Sequence, residues 1–94
     1  MSVRRKVVDP EGRTIFLTED VWAHIMSRHP EMSRHEQAVM DTITHPDRIE
    51  PDVRPGRERF LGYRRGPTTW LRVVVSFEGE QGRVITAHGR RGPE

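Results

Sequence analysis

The 94-residue chain contains no cysteine. That excludes a disulfide framework, cysteine-ligated zinc and thiol catalysis, and it fits a reducing compartment. No apolar run approaches the roughly 18 residues that a membrane helix needs. The N-terminus, Met1 to Pro10, is basic but lacks the apolar stretch of a signal peptide. The expectation is a cytoplasmic protein with no membrane partner. Aromatic residues make up only 6%, and lysine is nearly absent: Lys6 stands alone, so the other cations are arginines. Arginine binds phosphate bidentately and stacks on bases, a bias that favours nucleic acid, although GC-rich coding inflates arginine in the same way. A Gly-rich phosphate loop, a Gly-x-Ser-x-Gly turn and an acidic pair suited to two-metal chemistry are all missing.

What is present is a chain with 32% charged and 33% hydrophobic residues, the latter clustered rather than scattered. It suits one small folded domain over residues 1–94, with 89–94 as a frayed tail. The net charge of +2 is uneven. Residues 1–47 carry six Lys/Arg against eight Asp/Glu (−2), and residues 48–94 carry ten against six (+4).

Val7 to Leu17 reads as two short strands around an Asp-Pro-Glu-Gly turn. Thr18 is placed to cap a helix that carries Glu19 and Asp20 in its first turn. On that helix Trp22, Ile25, Met26 and His29 share a face, and Pro30 stops it. The inner end of an apolar stripe is thus a histidine, either a satisfied core residue or part of a site. Ser33 to Glu36 matches a capping box for a second helix through Ala38, Val39, Met40 and Ile43, ending before Pro46. The period then changes to alternation. Arg48 to Glu50 is a short edge strand or extended coil beside Pro51 and Pro55. Glu58 to Arg64, Trp70 to Phe77 and Arg83 to His88 are strands, the middle one apolar on both faces and therefore central. The expected architecture is α+β: two N-terminal helices packed on one face of a small, mainly antiparallel sheet of three or four strands, with the other face open.

A five-residue loop at 78–82 in simple register would set Arg72 opposite His88 and Val74 opposite Thr86. Across the preceding turn, one register adds Arg59 and Tyr63 to that face, and a one-residue slip replaces them with Phe60 and Gly62. In the first case arginines, hydroxyls and an imidazole converge without acids. That set suits metal-free phosphoryl chemistry: guanidinium groups neutralise phosphate oxygens while an imidazole, which titrates near neutrality, moves protons. Each residue also has an ordinary reading as a snorkelling arginine, a packed tyrosine, a strand threonine or a boundary histidine. His24 and His29 are five apart, a poor spacing for two zinc ligands on one helix, so no metal or other cofactor is expected.

His24-Ile25-Met26-Ser27-Arg28-His29-Pro30-Glu31-Met32, followed by Thr42-Ile43-Thr44-His45-Pro46-Asp47-Arg48-Ile49, resembles the helical half of a phage-type nuclease family. Its fold is named for barnase, EndoU, the tRNase colicins and RelE (BECR). The family's Arg…Tyr strand, Lys-Val-Val-Val-type strand and closing Val-x-Thr-Ala-Tyr strand are matched by Arg59–Tyr63, Leu71–Val75 and Arg83–His88. The resemblance spans about residues 9–90, and the second half is also similar to BrnT-type RNase toxins. Arg72 stands where lysine is usual and His88 where tyrosine is usual, which shifts proton chemistry toward histidine. The resemblance implies a metal-independent endoribonuclease of the toxin or phage-effector type, acting through 2′-hydroxyl transesterification. The implied catalytic set is His24, His29, Arg59, Tyr63, Arg72, Thr86 and His88, with Arg64 and Arg65 binding nucleic acid. Implied partners are RNA (tRNA or ribosome-associated mRNA) and a cognate antitoxin or immunity protein. A non-catalytic RNA-binding or protein-interaction module on the same fold is the alternative.

Overall fold

A computed structural model describes residues 2–94. Nine elements follow one another: β1 (Val3–Val8), β2 (Thr14–Thr18), α1 (Glu19–Arg28), a 3-10 helix (Pro30–Arg34), α2 (Glu36–Thr44), β3 (Arg48–Pro51), β4 (Arg57–Tyr63), β5 (Trp70–Glu78) and β6 (Gln81–Arg90). This corrects the expected architecture. The chain is a small α+β domain, but it begins with strands rather than helices, and the sheet has six strands in the order β1-β2-β6-β5-β4-β3. The N-terminal hairpin is therefore part of the sheet. β2 lies beside β6 and runs parallel to it through Thr14 to Phe16. Alternation within a strand shows which residues share a face but carries no information about a parallel partner more than 60 residues away.

The helices start and stop for local reasons. Thr18 caps α1, accepting from the Val21 amide at 3.3 Å, and Glu19 and Asp20 occupy the positive end of its dipole. Pro30 ends α1, and His29 is left outside helical geometry with φ −136°, its amide donating to the Ile25 carbonyl at 2.7 Å. The expected capping box does not form. Ser33 lies inside the 3-10 helix, His35 is the N-cap of α2 without a side-chain bond, and Glu36 is held by Arg4 of β1 at 2.7 Å. Arg4 also reaches Glu19 at 2.9 Å, so one guanidinium ties β1 to the first turns of both helices and lowers the Glu36 carboxyl below its usual range. Among the described residues no helix is long and apolar enough to cross a membrane.

The main core gathers Trp22 and Ile25 from α1, Met32, Val39, Met40 and Ile43 from the following helices, and Ile15, Leu17, Phe60, Leu71, Val73, Val75, Val84 and Ala87 from the sheet. Leu61 and Val74 are also buried but lie outside that cluster, on the opposite sheet face. That second face is therefore lined by its own long side chains rather than flat. β6 continues through Gly89 and Arg90, which pair with Leu71 and Trp70, so the tail expected from residue 89 is shortened to 91–94.

Gly62 sets how closely α2 approaches β4. A Cβ there would fall 2.5 Å from Thr42 Oγ1, whose hydroxyl donates to the Ala38 carbonyl at 2.8 Å. Gly62→Ala should destabilise the fold by about 1–3 kcal/mol through overpacking. Urea unfolding checks this, and an unchanged midpoint would mean that α2 yields at no cost.

Candidate functional site

The strand registers decide which side chains meet. β4 pairs with β5 so that Arg59 faces Val74, Leu61 faces Arg72 and Tyr63 faces Trp70. β5 pairs with β6 so that Arg72 faces His88 and Val74 faces Thr86. Paired residues share a face, so three ranks cross the sheet on the side away from the main core: Arg59–Val74–Thr86, Leu61–Arg72–His88 and Tyr63–Trp70–Arg90. The loop joining β5 to β6 is tighter than expected, with Glu78 paired to Gln81 and Gly79 in the left-handed region at φ 62°. A register shift between Val74 and Val75, which leaves Ile85 without a partner, restores the pairing of Arg72 with His88.

Arg72 is 9% exposed, yet none of the salt bridges among the described residues includes it, and its Nε has no hydrogen-bond partner. Its pKa is lowered, first by burial and then by the nearby Arg90 and Arg59 cations, against a weaker upward pull from Asp52 and Glu50. His88 is half-buried, with Nδ1 likewise unpartnered. Burial first, then His29, Arg72 and Arg90, pushes its pKa down to about 4, against a weaker upward pull from Glu31. The imidazole is therefore neutral at pH 7.

His29 arrives from the other side of the chain. β2 pairs only with Gln81 to Arg83 of β6, so the rest of β6 has no strand on that flank, and α1 packs there instead. From the end of α1 the His29 ring stacks on His88, with centroids 5.0 Å apart and planes 25° from parallel. Its Nδ1 lies 3.7 Å from Glu31 Oε2, a charged pair only when the imidazole is protonated.

The other expected residues divide. Thr86 is half-buried one rank from His88 on the same face. Arg59 shares that face, but its Nε donates to Asp52 at 2.6 Å and holds that carboxyl below its usual range. Its charge is thereby balanced within the fold. Tyr63 is 46% exposed and packs against Trp70 with ring centroids 5.2 Å apart. Arg64 lies over the Tyr63 ring at 5.2 Å, whereas Arg65 turns back to donate to the Asp41 carbonyl at 2.6 Å. His24 is exposed, roughly 140° round α1 from His29, and makes none of these contacts. Trp70 and Arg90 complete the third rank and were not among the expected residues; the two-residue spacing of Trp70 from Arg72 carried that signal.

Arg72 is thus a buried guanidinium beside His88 with no ion pair among the described residues, and Asp52 and Glu50 act on it only at longer range. Its charge is incompletely compensated, which costs more than a neutral hydrogen-bonding group would. It follows that Arg72→Met, which keeps the stem against Leu61 and Val74, should stabilise the protein by about 1–3 kcal/mol. Chemical denaturation reads this directly, and a loss of stability would make Arg72 a structural residue.

His88 gives a pH signature. Its folded pKa lies below the ordinary value, so the unfolded chain binds a proton that the folded chain refuses. The stability this represents is complete above pH 6.5 and is lost between 6.5 and about 4, with a slope of at most about 1.4 kcal/mol per pH unit. Between pH 7 and 5 the wild type should lose about 1–2 kcal/mol more than His88→Phe. Parallel losses in urea titrations of the two proteins would refute it.

In comparisons with known proteins, no family model, curated protein or solved structure matches this chain.

Proposed function

We propose that the protein is a metal-independent endoribonuclease that cleaves by attack of a ribose 2′-hydroxyl on the adjacent phosphate. The observation that carries this reading is the stacked His29–His88 pair beside the buried, unpaired Arg72. Transesterification of RNA requires a base for the 2′-hydroxyl, an acid for the departing 5′-oxygen and positive charge for the phosphoryl oxygens. His88, neutral in the free protein, takes the 2′-hydroxyl proton. The 2′-oxygen bonds to phosphorus, the bond to the 5′-oxygen breaks, and His29 in its protonated form delivers a proton to that oxygen. The products are a 2′,3′-cyclic phosphate and a 5′-hydroxyl. Arg72 neutralises the nonbridging oxygens, Thr86 donates to one of them, and Tyr63 with Arg64 receives the flanking nucleotide. The resemblance to phage-type nucleases and RNase toxins supports a toxin or effector setting in the cytoplasm. It also supports a tRNA or ribosome-associated mRNA substrate and a cognate antitoxin or immunity protein.

Purified protein should cleave total or transfer RNA in EDTA and leave 2′,3′-cyclic ends. His29→Ala and His88→Ala should each slow kcat about 10²–10⁴-fold while remaining folded. Since the base must be unprotonated, the acidic limb of the kcat/KM profile in the wild type should fall through about pH 4. RNA that binds in a salt-dependent way but stays intact would instead identify a non-catalytic RNA-binding module. Cleavage that both alanine variants retain would remove the two histidines from the mechanism.

A further inference from the structure

We propose that the third rank of the sheet, Tyr63–Trp70–Arg90 with Arg64, is a nucleobase-stacking subsite for the RNA residue that flanks the phosphate held at Arg72. This deepens the nuclease reading and rests on it for the identity of the ligand.

The chain has only six aromatic residues, two Trp, one Tyr and three Phe. Trp22 and Phe60 are buried in the main core, Phe77 packs against that cluster, and Phe16 is half-buried on β2. The single tyrosine is instead left 46% exposed at the end of β4, against Trp70 of β5. Their rings are tilted by 60°, an edge-to-face arrangement in which one ring buttresses the other. Arginine stands at both ends of this pair. Arg90 is the register partner of Trp70, and Arg64 lies over the Tyr63 ring.

Arg64 takes that position in a left-handed conformation, φ 56°, which a non-glycine residue adopts only under the constraint of its surroundings. The constraint is the hairpin closure, where the Arg64 amide donates to the Thr69 carbonyl at 2.7 Å. The rest of that hairpin folds toward the helix-bearing face. Gly66 lies against the Leu71 side chain, and Thr68 lies against Gly89 and donates to the Trp70 and Arg90 carbonyls. Leu71 and Gly89 lie on the face away from Arg72, so Gly66 and Thr68 do not cover the aromatic rank, where Arg64 lies over Tyr63.

Spacing joins this rank to the anion site. Trp70 and Arg90 are each two residues from Arg72 and His88 on the same strands, about 7 Å away and on the same face. A phosphate at Arg72 therefore places its neighbouring base over Trp70 and Tyr63, with Arg64 and Arg90 near the next phosphate. Stacking on a ring accepts any base, so the subsite gives affinity and positioning rather than a strict sequence code.

The test uses the full chain and a labelled 2′-O-methyl RNA hexamer, which lacks the attacking hydroxyl, with binding followed by fluorescence anisotropy at several salt concentrations. Tyr63→Leu and Trp70→Leu, each confirmed folded by circular dichroism, should weaken binding about tenfold with the salt dependence unchanged, because they remove stacking and no charge. Arg72→Met should instead flatten the salt dependence. Unchanged affinity in both leucine variants, or a loss accompanied by a flatter salt dependence, would overturn the subsite, even if the wild type cleaves RNA. Aromatic-dependent binding in a protein that cleaves no RNA would uphold the subsite and remove the nuclease reading.

Discussion

The arrangement of the site depends on one unpaired residue, Ile85. From the tight turn at Gly79–Glu80, β5 and β6 pair Glu78 with Gln81 and Val75 with Val84. Had that register continued, Arg72 would face Ala87, and His88 would point into the main core. A one-residue shift in a strand exchanges its two faces. The bulge at Ile85 makes that exchange once, after Val84 has been delivered to the core, so that Thr86, His88 and Arg90 emerge on the other side. Ala87 then takes its place in the core with no exposure. Bulges concentrate beside functional sites because they re-aim side chains without altering the fold, and here the re-aimed residues are the ones that meet Arg72.

A second constraint acts on the flank of β6. β2 stops at Thr18, which turns directly into α1, so the parallel pairing lasts only three residues. A longer β2 would have covered β6 up to His88 and closed the route by which His29 reaches it. The two histidines are far apart in sequence and approach from different layers. Their stacking therefore depends on an early end to one strand and a proline stop to one helix. Pro30 leaves His29 outside helical geometry at the point where its ring meets His88 of β6.

Much of this was legible in the residues. Thr18, Pro30 and Pro46 set the helix limits, and the alternation from Trp70 to Phe77 marked the central strand. The face shared by Arg59, Tyr63, Arg72, Thr86 and His88 was one of two arrangements the residues left open. A one-residue slip of β4 would have set Phe60 and Gly62 there instead, and the observed register selects the first. The pairing of Arg72 with His88 was reached for an incomplete reason, however: a five-residue loop without a bulge gives the same partners there as a two-residue turn with one. Local pattern could not show that the N-terminal hairpin extends the sheet, since its parallel partner lies at the far end of the chain. Nor could it show that Asp52 balances Arg59, because residues in the irregular stretch between β3 and β4 have no period. The Ser33-x-x-Glu36 pattern failed because Arg4, from a strand, offered Glu36 a full opposite charge in place of a backbone amide.

The contrast between Arg59 and Arg72 gives the site its direction. Both guanidinium groups lie on one face of neighbouring strands, and both are substantially shielded from water. Asp52 meets the first at 2.6 Å, and among the described residues no carboxylate forms an ion pair with the second, whose Nε has no hydrogen-bond partner. Arg13 shows what the fold does where a buried cation serves structure. It bridges the buried Asp9 carboxylate and the partly exposed Glu58, each at 2.8 Å, and lies 3.8 Å over the Phe77 ring. A chain that supplies such partners to one arginine and withholds them from another carries an incompletely compensated charge at the second. Leu61 and the neutral His88, the partners of Arg72 on either side in the sheet, offer no negative charge, and Asp52 and Glu50 act on it only at longer range. The same withheld partner that lowers stability is what leaves Arg72 free for an incoming phosphate, so stability and binding at this position draw on one unsatisfied guanidinium.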